Sequence, residues 1–146
     1  GYASKFIKLS ADINSEMPAY AVERVAGILA RRRKKLAKAR VLVLGVTYKK
    51  DVKDLRKSPS IHLVDLLRRA GAEVAFHDPL VPYLDIGGLK IDGIALTPKA
   101  IASFDCVIVA VDHTAIDYMQ VLKNAKAIFD VRNVYRGVSS AKVEKL

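Results

Sequence analysis

Cysteine is almost missing from this 146-residue sequence, since Cys106 is the only one. A single cysteine excludes an internal disulfide framework and is typical of the reducing cytoplasm, the compartment that we predict. No apolar run reaches the roughly 18 residues of a membrane span, and the first residues lack the charged-then-apolar order of a signal peptide. The sequence therefore predicts no membrane partner. Cysteine and histidine show no metal-ligand spacing, so we predict no metal site, and Cys106 opens an apolar run that is typical of a core.

Acidic residues are also scarce, with 15 of them against 25 lysines and arginines, which gives a formal net charge of +10. This balance favours an anionic partner: nucleic acid, membrane headgroups or a phosphorylated small molecule. Seven basic residues stand within residues 31–40, RRRKKLAKAR. We interpret them as a solvated helix end whose cations face the negative end of the helix dipole. A nucleic-acid patch is the alternative.

The order of apolar patterns predicts the fold class. Apolar residues recur every three or four positions from Phe6 to Leu29, as on one face of a helix, and Pro18 within this pattern predicts one kinked helix or two helices that meet there. Strands then alternate with helices, which indicates an α/β fold: a Rossmann-like three-layer domain with a mostly parallel sheet, preceded by an N-terminal helical arm. We predict strands at 41–46, 73–77, 106–111 and 127–131; helices from Ser58-Pro59 to Gly71, after Thr97-Pro98 and over 114–123; and a loop at 79–97 with room for a short strand at 94–96.

The loop after the first strand, residues 45–58 (GVTYKKDVKDLRKS, the lysine loop), holds four lysines and an arginine. Ligands of open parallel sheets bind beyond the carboxyl ends of the strands. A self-sufficient dinucleotide site would need several glycines there, so that backbone can approach the pyrophosphate, and Gly45 is the only one. Lys49 or Lys50 could instead supply a point charge to a phosphate, and Arg56 a planar fork that Asp54 could orient.

Two further polar residues follow predicted strands. Arg132 comes directly after the last strand and could point into the same crevice, with a surface salt bridge as the alternative. His113 follows a buried strand and is a candidate acid or base by its position. We favour a structural hydrogen bond from His113 at the start of the next helix.

These residues also carry a family resemblance. The segment VLVLGVTYKKDVKDLRKSPSIHLVDLLRRAGAEVAFHDPLVP resembles the start of the C-terminal domain of the UDP-glucose/GDP-mannose dehydrogenases, which use NAD to oxidise the C6 hydroxyl of a nucleotide sugar to a carboxylate for polysaccharide biosynthesis. DINSEMPAYAVERV resembles the end of their central helix and FDVRNVY their closing motif. The doubled lysine in YKKDVKDLR and the DVRN ending are most similar to the UDP-N-acetylhexosamine branch.

The resemblance implies roles for particular residues. Residues 1–38 would be the end of the central dimerisation helix, and residues 39–146 the UDP-sugar-binding domain. The sugar nucleotide would be bound by Tyr48, Lys49, Asp54, Leu55 and Arg132. Arg56 would reach the NAD side, while a separate N-terminal domain of the same protein binds most of the NAD and the central helix makes a homodimer.

Two departures from the family pattern limit these expectations. Lys57 stands where the family usually has glutamate. The glycine-rich NAD loop and the catalytic-cysteine motif are absent from the 146 residues, so we expect a fragment without catalytic residues that is inactive alone. The alternatives are UDP-glucose as the substrate, a regulatory relative that binds a nucleotide without chemistry, and a basic nucleic-acid-binding module.

Overall fold

Five parallel strands form the sheet at the centre of the molecule. The computed structural model describes residues 2–146, with side chains from Ser4 onward. The sheet has the order β2-β1-β5-β6-β7, and every neighbouring pair in it is parallel. The elements in chain order are α1 (Tyr2–Arg31), β1 (Arg40–Leu44), α2 (Pro59–Arg69), β2 (Glu73–His77), β3 (Tyr83–Ile86), β4 (Leu89–Asp92), α3 (Pro98–Ala102), β5 (Cys106–Val109), α4 (Tyr118–Asn124), β6 (Ile128–Asp130) and β7 (Val143–Lys145).

Helices cover both faces of the sheet, which explains why the central strands are continuous apolar runs. In β1, Val41 and Val43 pack on the side of α1 and α2, whereas Leu42 and Leu44 pack on the side of α3 and α4. Period-two alternation of side chains thus buries every one of these positions. The predicted three-layer α/β class with a mostly parallel sheet is confirmed.

Helix α1 is a single helix with Pro18 inside it, so the two-helix interpretation is wrong. Its C-terminal half shares the core of the sheet through buried residues such as Val25 and Leu29, whereas its N-terminal half leaves Phe6 and Ile13 exposed. The boundary at residues 38 and 39 stays a prediction. No helix within residues 2–146 combines the length and the apolar character that crossing a membrane requires.

The prediction that the basic run 31–40 is a helix end is wrong for most of the run, because α1 stops at Arg31. The following residues form turns, and Arg33 and Lys38 take left-handed backbone conformations with φ of 59° and 68°. Lys34 pairs with the nearly buried Asp105, at the start of β5. The run therefore lies at the amino-terminal edge of the sheet, opposite the edge where the lysine loop lies.

The segment 79–97 differs from its prediction. It contains the antiparallel hairpin β3–β4, and residues 94–96 are not a strand. The hairpin turns at Gly87 and Gly88, which both have positive φ, as the two-residue turns that suit strand twist require. The sequence signal for this hairpin is the Gly-Gly pair between two short apolar runs. The final strand β7 was also missed.

The starts of α4 and α2 differ in how their N-cap side chains are used. Helix α4 begins at Tyr118 rather than Thr114 because the Asp117 carboxylate accepts the backbone N–H groups of Met119 and Gln120. At α2, Ser58 occupies the N-cap position but makes no cap hydrogen bond; its hydroxyl instead donates to the Val46 carbonyl at 2.7 Å. That bond closes the base of the lysine loop.

Candidate functional site

Because the five strands are parallel, their carboxyl ends lie along one edge of the sheet. The chain leaves β1 and turns to β2 on one side, while β5 lies on the other side of β1. A crevice at such a switch of direction is where open α/β sheets bind ligands. The lysine loop follows β1 and borders this point directly.

Gly45 lets the end of β1 approach β5 closely. Its φ is +83°, and a Cβ placed there would lie 2.5 Å from Val111 Cβ and 2.6 Å from the Val111 carbonyl oxygen. The space beside the only glycine of the loop is therefore filled by protein. A backbone cradle for a dinucleotide pyrophosphate does not fit here.

A buried polar network fixes the base of the lysine loop. His113 is fully buried, and its Nε2 lies 2.9 Å from Asp78 Oδ2 and 3.0 Å from Thr47 Oγ1. Its Nδ1 accepts the backbone N–H of Asp51 at 3.0 Å. The Asp78 carboxylate also accepts the backbone N–H of Val46 at 2.8 Å. The loops that follow β1, β2 and β5 are thus joined through one imidazole and one carboxylate.

The tip of the lysine loop is tied to the β5 loop by charged and polar contacts. Asp51 accepts the Thr114 backbone N–H at 2.8 Å and its hydroxyl at 2.5 Å. These bonds, above all the one from the hydroxyl, lower the pKa of the Asp51 carboxyl below its usual value. Lys50 Nζ lies 3.6 Å from Asp112 Oδ2. Lys50 is therefore engaged within the protein, whereas Lys49 is exposed and pairs with no carboxylate in the described residues.

Tyr48 and Val52 form an apolar flank beside Lys49 and are 45% and 48% exposed. The backbone between them is well defined, because the Tyr48 N–H donates to the Asp54 carbonyl at 2.7 Å. The loop thus presents the Tyr48 ring and the Lys49 ammonium group on a closed backbone, and Lys53 and Lys57 are exposed further along it.

Asp54 holds the Arg56 guanidinium in a two-point contact, with Nε 3.0 Å from Oδ1 and Nη2 3.1 Å from Oδ2. The hydrogen bond from Arg56 lowers the pKa of the Asp54 carboxyl, and the same contact raises the pKa of Arg56. The predicted orienting role of Asp54 is confirmed. The Arg56 side chain is 88% exposed, so it projects away from the sheet toward solvent.

Arg132 lies across the end of β5. Its Nε donates to the Ala110 carbonyl at 2.7 Å, one residue before the Val111 that contacts Gly45. The buried Asp130 shapes this turn by accepting the backbone N–H groups of Arg132 and Tyr135. Among residues 2–146 no carboxylate pairs with Arg132, so the surface salt-bridge alternative is wrong and its terminal nitrogens remain available at the edge.

Comparisons with known proteins decide the family. Residues 42–137 match the model described as "UDP-glucose/GDP-mannose dehydrogenase family, UDP binding domain". The chain belongs to this dehydrogenase family.

Relatives of known name agree with that assignment. The chain is 30% identical over 140 residues to the UDP-N-acetyl-D-mannosamine dehydrogenase of Methanococcus maripaludis, covering 90% of this chain and 31% of the relative. It is 30% identical over 117 residues to the UDP-N-acetyl-D-glucosamine 6-dehydrogenase of Pseudomonas aeruginosa, covering 78% of this chain and 27% of the relative. The chain thus spans about a third of the length of the curated relatives that it matches.

Solved structures of the family share the fold. The UDP-D-ManNAc dehydrogenase of Pyrococcus horikoshii superposes with a TM-score of 0.77 at 25% identity, over 95% of this chain and 32% of that one. The UDP-N-acetyl-mannosamine dehydrogenase Cap5O of Staphylococcus aureus superposes with a TM-score of 0.75 at 28% identity, over 99% of this chain and 34% of that one. The predicted family is confirmed, the relatives named above carry names of the predicted UDP-N-acetylhexosamine branch, and a nucleic-acid-binding module is not favoured.

The predicted site residues fall into two groups: those whose side chains lie at the carboxyl edge of the sheet, and Leu55, whose side chain does not. Tyr48, Lys49 and Arg132 present side chains at the carboxyl edge, and the Asp54–Arg56 pair flanks them. Leu55 differs, because its side chain packs half-buried against the core on the α1–α2 side. Its backbone is the part of Leu55 that remains for a ligand.

His113 lies outside this set, and its contacts differ from those that the sequence predicts. His113 was predicted to bond at the next helix start, but its ring contacts the loops after β1 and β2. Its partners Thr47 and Asp78 were not predicted, since partners 66 and 35 residues away leave no local signal.

Cys106 is fully buried, as predicted, and burial raises the pKa of its thiol to about 12. Within the described residues no three histidine, cysteine or acidic side chains cluster as metal ligands would.

Proposed function

We propose that this chain binds the UDP portion of a UDP-N-acetylhexosamine, as the substrate domain of a cytoplasmic NAD-dependent dehydrogenase that oxidises the C6 hydroxyl to a carboxylate. The observation that carries the proposal is the basic, glycine-poor loop at the switch point of the sheet. A diphosphate is a compact dianion, and the loop offers it side-chain cations rather than backbone amides. UDP-N-acetylhexosamines are favoured because relatives along most of this chain are named for them.

Each site residue has a distinct part in the proposed complex. Lys49, which has no carboxylate partner, supplies a charge to the diphosphate. Arg132, anchored through Nε on the Ala110 carbonyl, offers its terminal nitrogens as a second donor group. Tyr48 contributes an exposed ring, and Asp54 and the Leu55 backbone border the same ligand.

Calorimetric titration of the 146-residue chain with UDP tests this proposal. We expect weak binding that the variant Lys49→Ala reduces by about 10- to 100-fold, the worth of a charge-assisted hydrogen bond. Lys35→Ala is the matched control, because it removes the same charge from the basic turn at the opposite edge. A folded chain that does not bind UDP, or equal losses in the two variants, would refute the proposal.

The lysine loop does not offer a backbone cradle for the pyrophosphate of NAD. Gly45 is the only glycine of the lysine loop, and Val111 fills the space beside it. NAD accepts the hydride in this class of reaction, and we propose that a separate N-terminal domain binds it. Arg56 is the residue of this chain that reaches toward NAD, since Asp54 holds its exposed guanidinium away from the sheet.

Separate measurements of KM for NAD and of UDP affinity test this role for Arg56. In the complete dehydrogenase, Arg56→Ala should raise KM for NAD and leave the UDP affinity of the 146-residue chain unchanged. Lys53→Ala is the control for removal of a nearby exposed charge. If Arg56→Ala weakens UDP binding and leaves KM for NAD alone, Arg56 belongs to the substrate site instead.

We further propose that the protein forms a homodimer through α1. Its N-terminal half exposes apolar side chains, with Phe6 72%, Leu9 57% and Ile13 51% exposed, at helical spacings that place them on one face. Uncovered patches of this kind mark interfaces. Sedimentation equilibrium of the 146-residue chain should give the mass of a dimer. Ile13→Glu should dissociate this dimer, whereas the control Asn14→Glu, at the neighbouring exposed position, should leave it intact. A monomeric wild type would exclude this interface.

A further inference from the structure

His113 stands at the centre of the contacts that shape the lysine loop. Its side chain is fully buried between the loops that follow β1, β2 and β5. Among the described residues no buried side-chain nitrogen or oxygen lacks a hydrogen-bond partner, and this includes the buried atoms of Asp78 and His113. An imidazole in this place is costly unless its two nitrogens are both matched.

The hydrogen bonds determine where the ring proton lies. Nδ1 faces the backbone N–H of Asp51 at 3.0 Å, so it must accept. Nε2 faces Asp78 Oδ2 at 2.9 Å, and that carboxylate can only accept from it. The proton is therefore on Nε2, where it is shared between two acceptors, Asp78 Oδ2 and the Thr47 Oγ1 that lies 3.0 Å from Nε2. The Thr47 hydroxyl in turn donates to the Lys49 carbonyl at 2.8 Å.

We propose that His113 is a positioning residue for diphosphate binding: it fixes the Lys49 carbonyl and the Asp51 amide, the backbone groups that follow Lys49 and lie on either side of Lys50. On one side it acts through the Thr47 hydroxyl on the Lys49 carbonyl, and on the other directly on the Asp51 amide. Asp51 has a φ of 58°, a conformation that a non-glycine residue keeps only when its surroundings hold it. The inference rests on the proposed function, since it concerns the same diphosphate.

The network also reaches the turn that carries Arg132. The Tyr118 hydroxyl donates to the His113 carbonyl at 3.1 Å, and the Tyr135 hydroxyl donates to the Tyr118 carbonyl at 2.7 Å. Tyr135 itself donates its backbone N–H to Asp130, which shapes the Arg132 turn. The two basic groups that would hold the diphosphate are thus built on one hydrogen-bonded frame.

Variants of His113 and Thr47 test the proposal. His113→Gln keeps a donor toward Asp78 and loses the acceptor for the Asp51 amide. We expect faster hydrogen exchange at the Asp51 amide, unchanged exchange in β1 and β5, and UDP affinity about 10-fold weaker, as for one lost hydrogen bond. Thr47→Val should weaken UDP binding similarly, and Thr47→Ser, which keeps the hydroxyl, should restore it. Ile108→Val is the control that destabilises β5 without contacting the network.

Two outcomes would overturn the inference without reference to UDP. One is a long-range proton–nitrogen spectrum that places the ring proton on Nδ1, and the other is an Asp51 amide whose exchange is unchanged in His113→Gln. Equal losses of UDP affinity in Ile108→Val and His113→Gln would also overturn it, because the loss would then follow stability. A wild-type chain that does not bind UDP refutes the proposed function, and the exchange measurement still decides whether His113 orders the loop.

Discussion

The substitution Gly45→Ala should separate the cost of a close backbone approach from the cost of backbone conformation. Gly45 has φ +83°, and an added Cβ would lie 2.5 Å from Val111 Cβ, 2.6 Å from the Val111 oxygen and 2.9 Å from its Cα. Two of these three atoms belong to the backbone of the segment after β5. A rotamer change therefore cannot relieve the clash, and the end of β1 would have to move away from its neighbour.

The expected magnitude follows from two terms. A left-handed conformation costs an L-residue about 1–2 kcal/mol, and overpacking a well-packed core costs about 1–3 kcal/mol. Alanine also restricts the unfolded chain, which returns about 0.4–1 kcal/mol. We therefore expect Gly45→Ala to lower the free energy of unfolding by about 3 kcal/mol, or Tm by about 6–12 °C for a chain of this size.

The chain offers a matched control for this experiment. Gly88 has nearly the same φ, +84°, but no atom lies within 4 Å of the position that its Cβ would take. Gly88→Ala should therefore cost about 1 kcal/mol or less, from backbone conformation alone. Urea unfolding of both variants gives the difference. Equal costs would refute the reasoning, since they would show that β1 and the β5 loop are not in contact at Gly45.

Three further predictions concern single side chains. Because Thr114 lowers the pKa of Asp51 in the folded state, the contact between them stabilises the fold above the unfolded pKa of about 3.9 and is lost as the pH falls through the folded value. The protection factor of the Thr114 amide, the exchange rate of an unfolded chain divided by its own rate at the same pH, should therefore fall in acid, and Asp51→Asn should abolish that pH dependence. Cys106, whose pKa burial raises to about 12, should resist alkylation in the native chain and react fully in guanidinium chloride. Glu144 accepts from Arg24 and Arg31, so Glu144→Gln should lower the midpoint of urea unfolding by a small but measurable amount, as expected of exposed ion pairs, and an unchanged midpoint would show that these pairs are solvated.

The sequence predicted the parallel core well because local pattern and tertiary environment agree there. Strands covered on both faces must be apolar at nearly every position, and residues 41–44 and 106–109 are such runs. The hairpin β3–β4 lies outside this core, with residues such as Tyr83 and Leu89 about half exposed. Its strands therefore lack the apolar continuity that identified the others.

The candidate site was predicted in part, and its limits have a physical reason. Arg132 and the pair Lys49 and Lys50 could be selected because charge that follows a buried strand must emerge at the carboxyl edge, and the family resemblance singled out Lys49. The buried network that supports them could not be predicted, because the hydrogen bonds from His113 to Thr47 and Asp78 depend on which strands become neighbours. The sequence orders the strands along the chain, whereas these contacts depend on their order in the sheet.

A site built from side-chain cations needs a different kind of support from one built from glycine amides. A helix N-terminus presents its N–H groups in fixed directions, whereas each lysine has a long, freely rotating stem whose ordering costs entropy. That cost falls when the backbone beneath the stem is already held. In this chain the Lys49 carbonyl and the Asp51 amide are both bonded to the buried network, and the Arg132 stem is held at Nε. The buried polar groups thus do for this loop what glycines and a helix end do for a dinucleotide loop, which is why their removal should weaken diphosphate binding even though none of them carries a charge to the ligand.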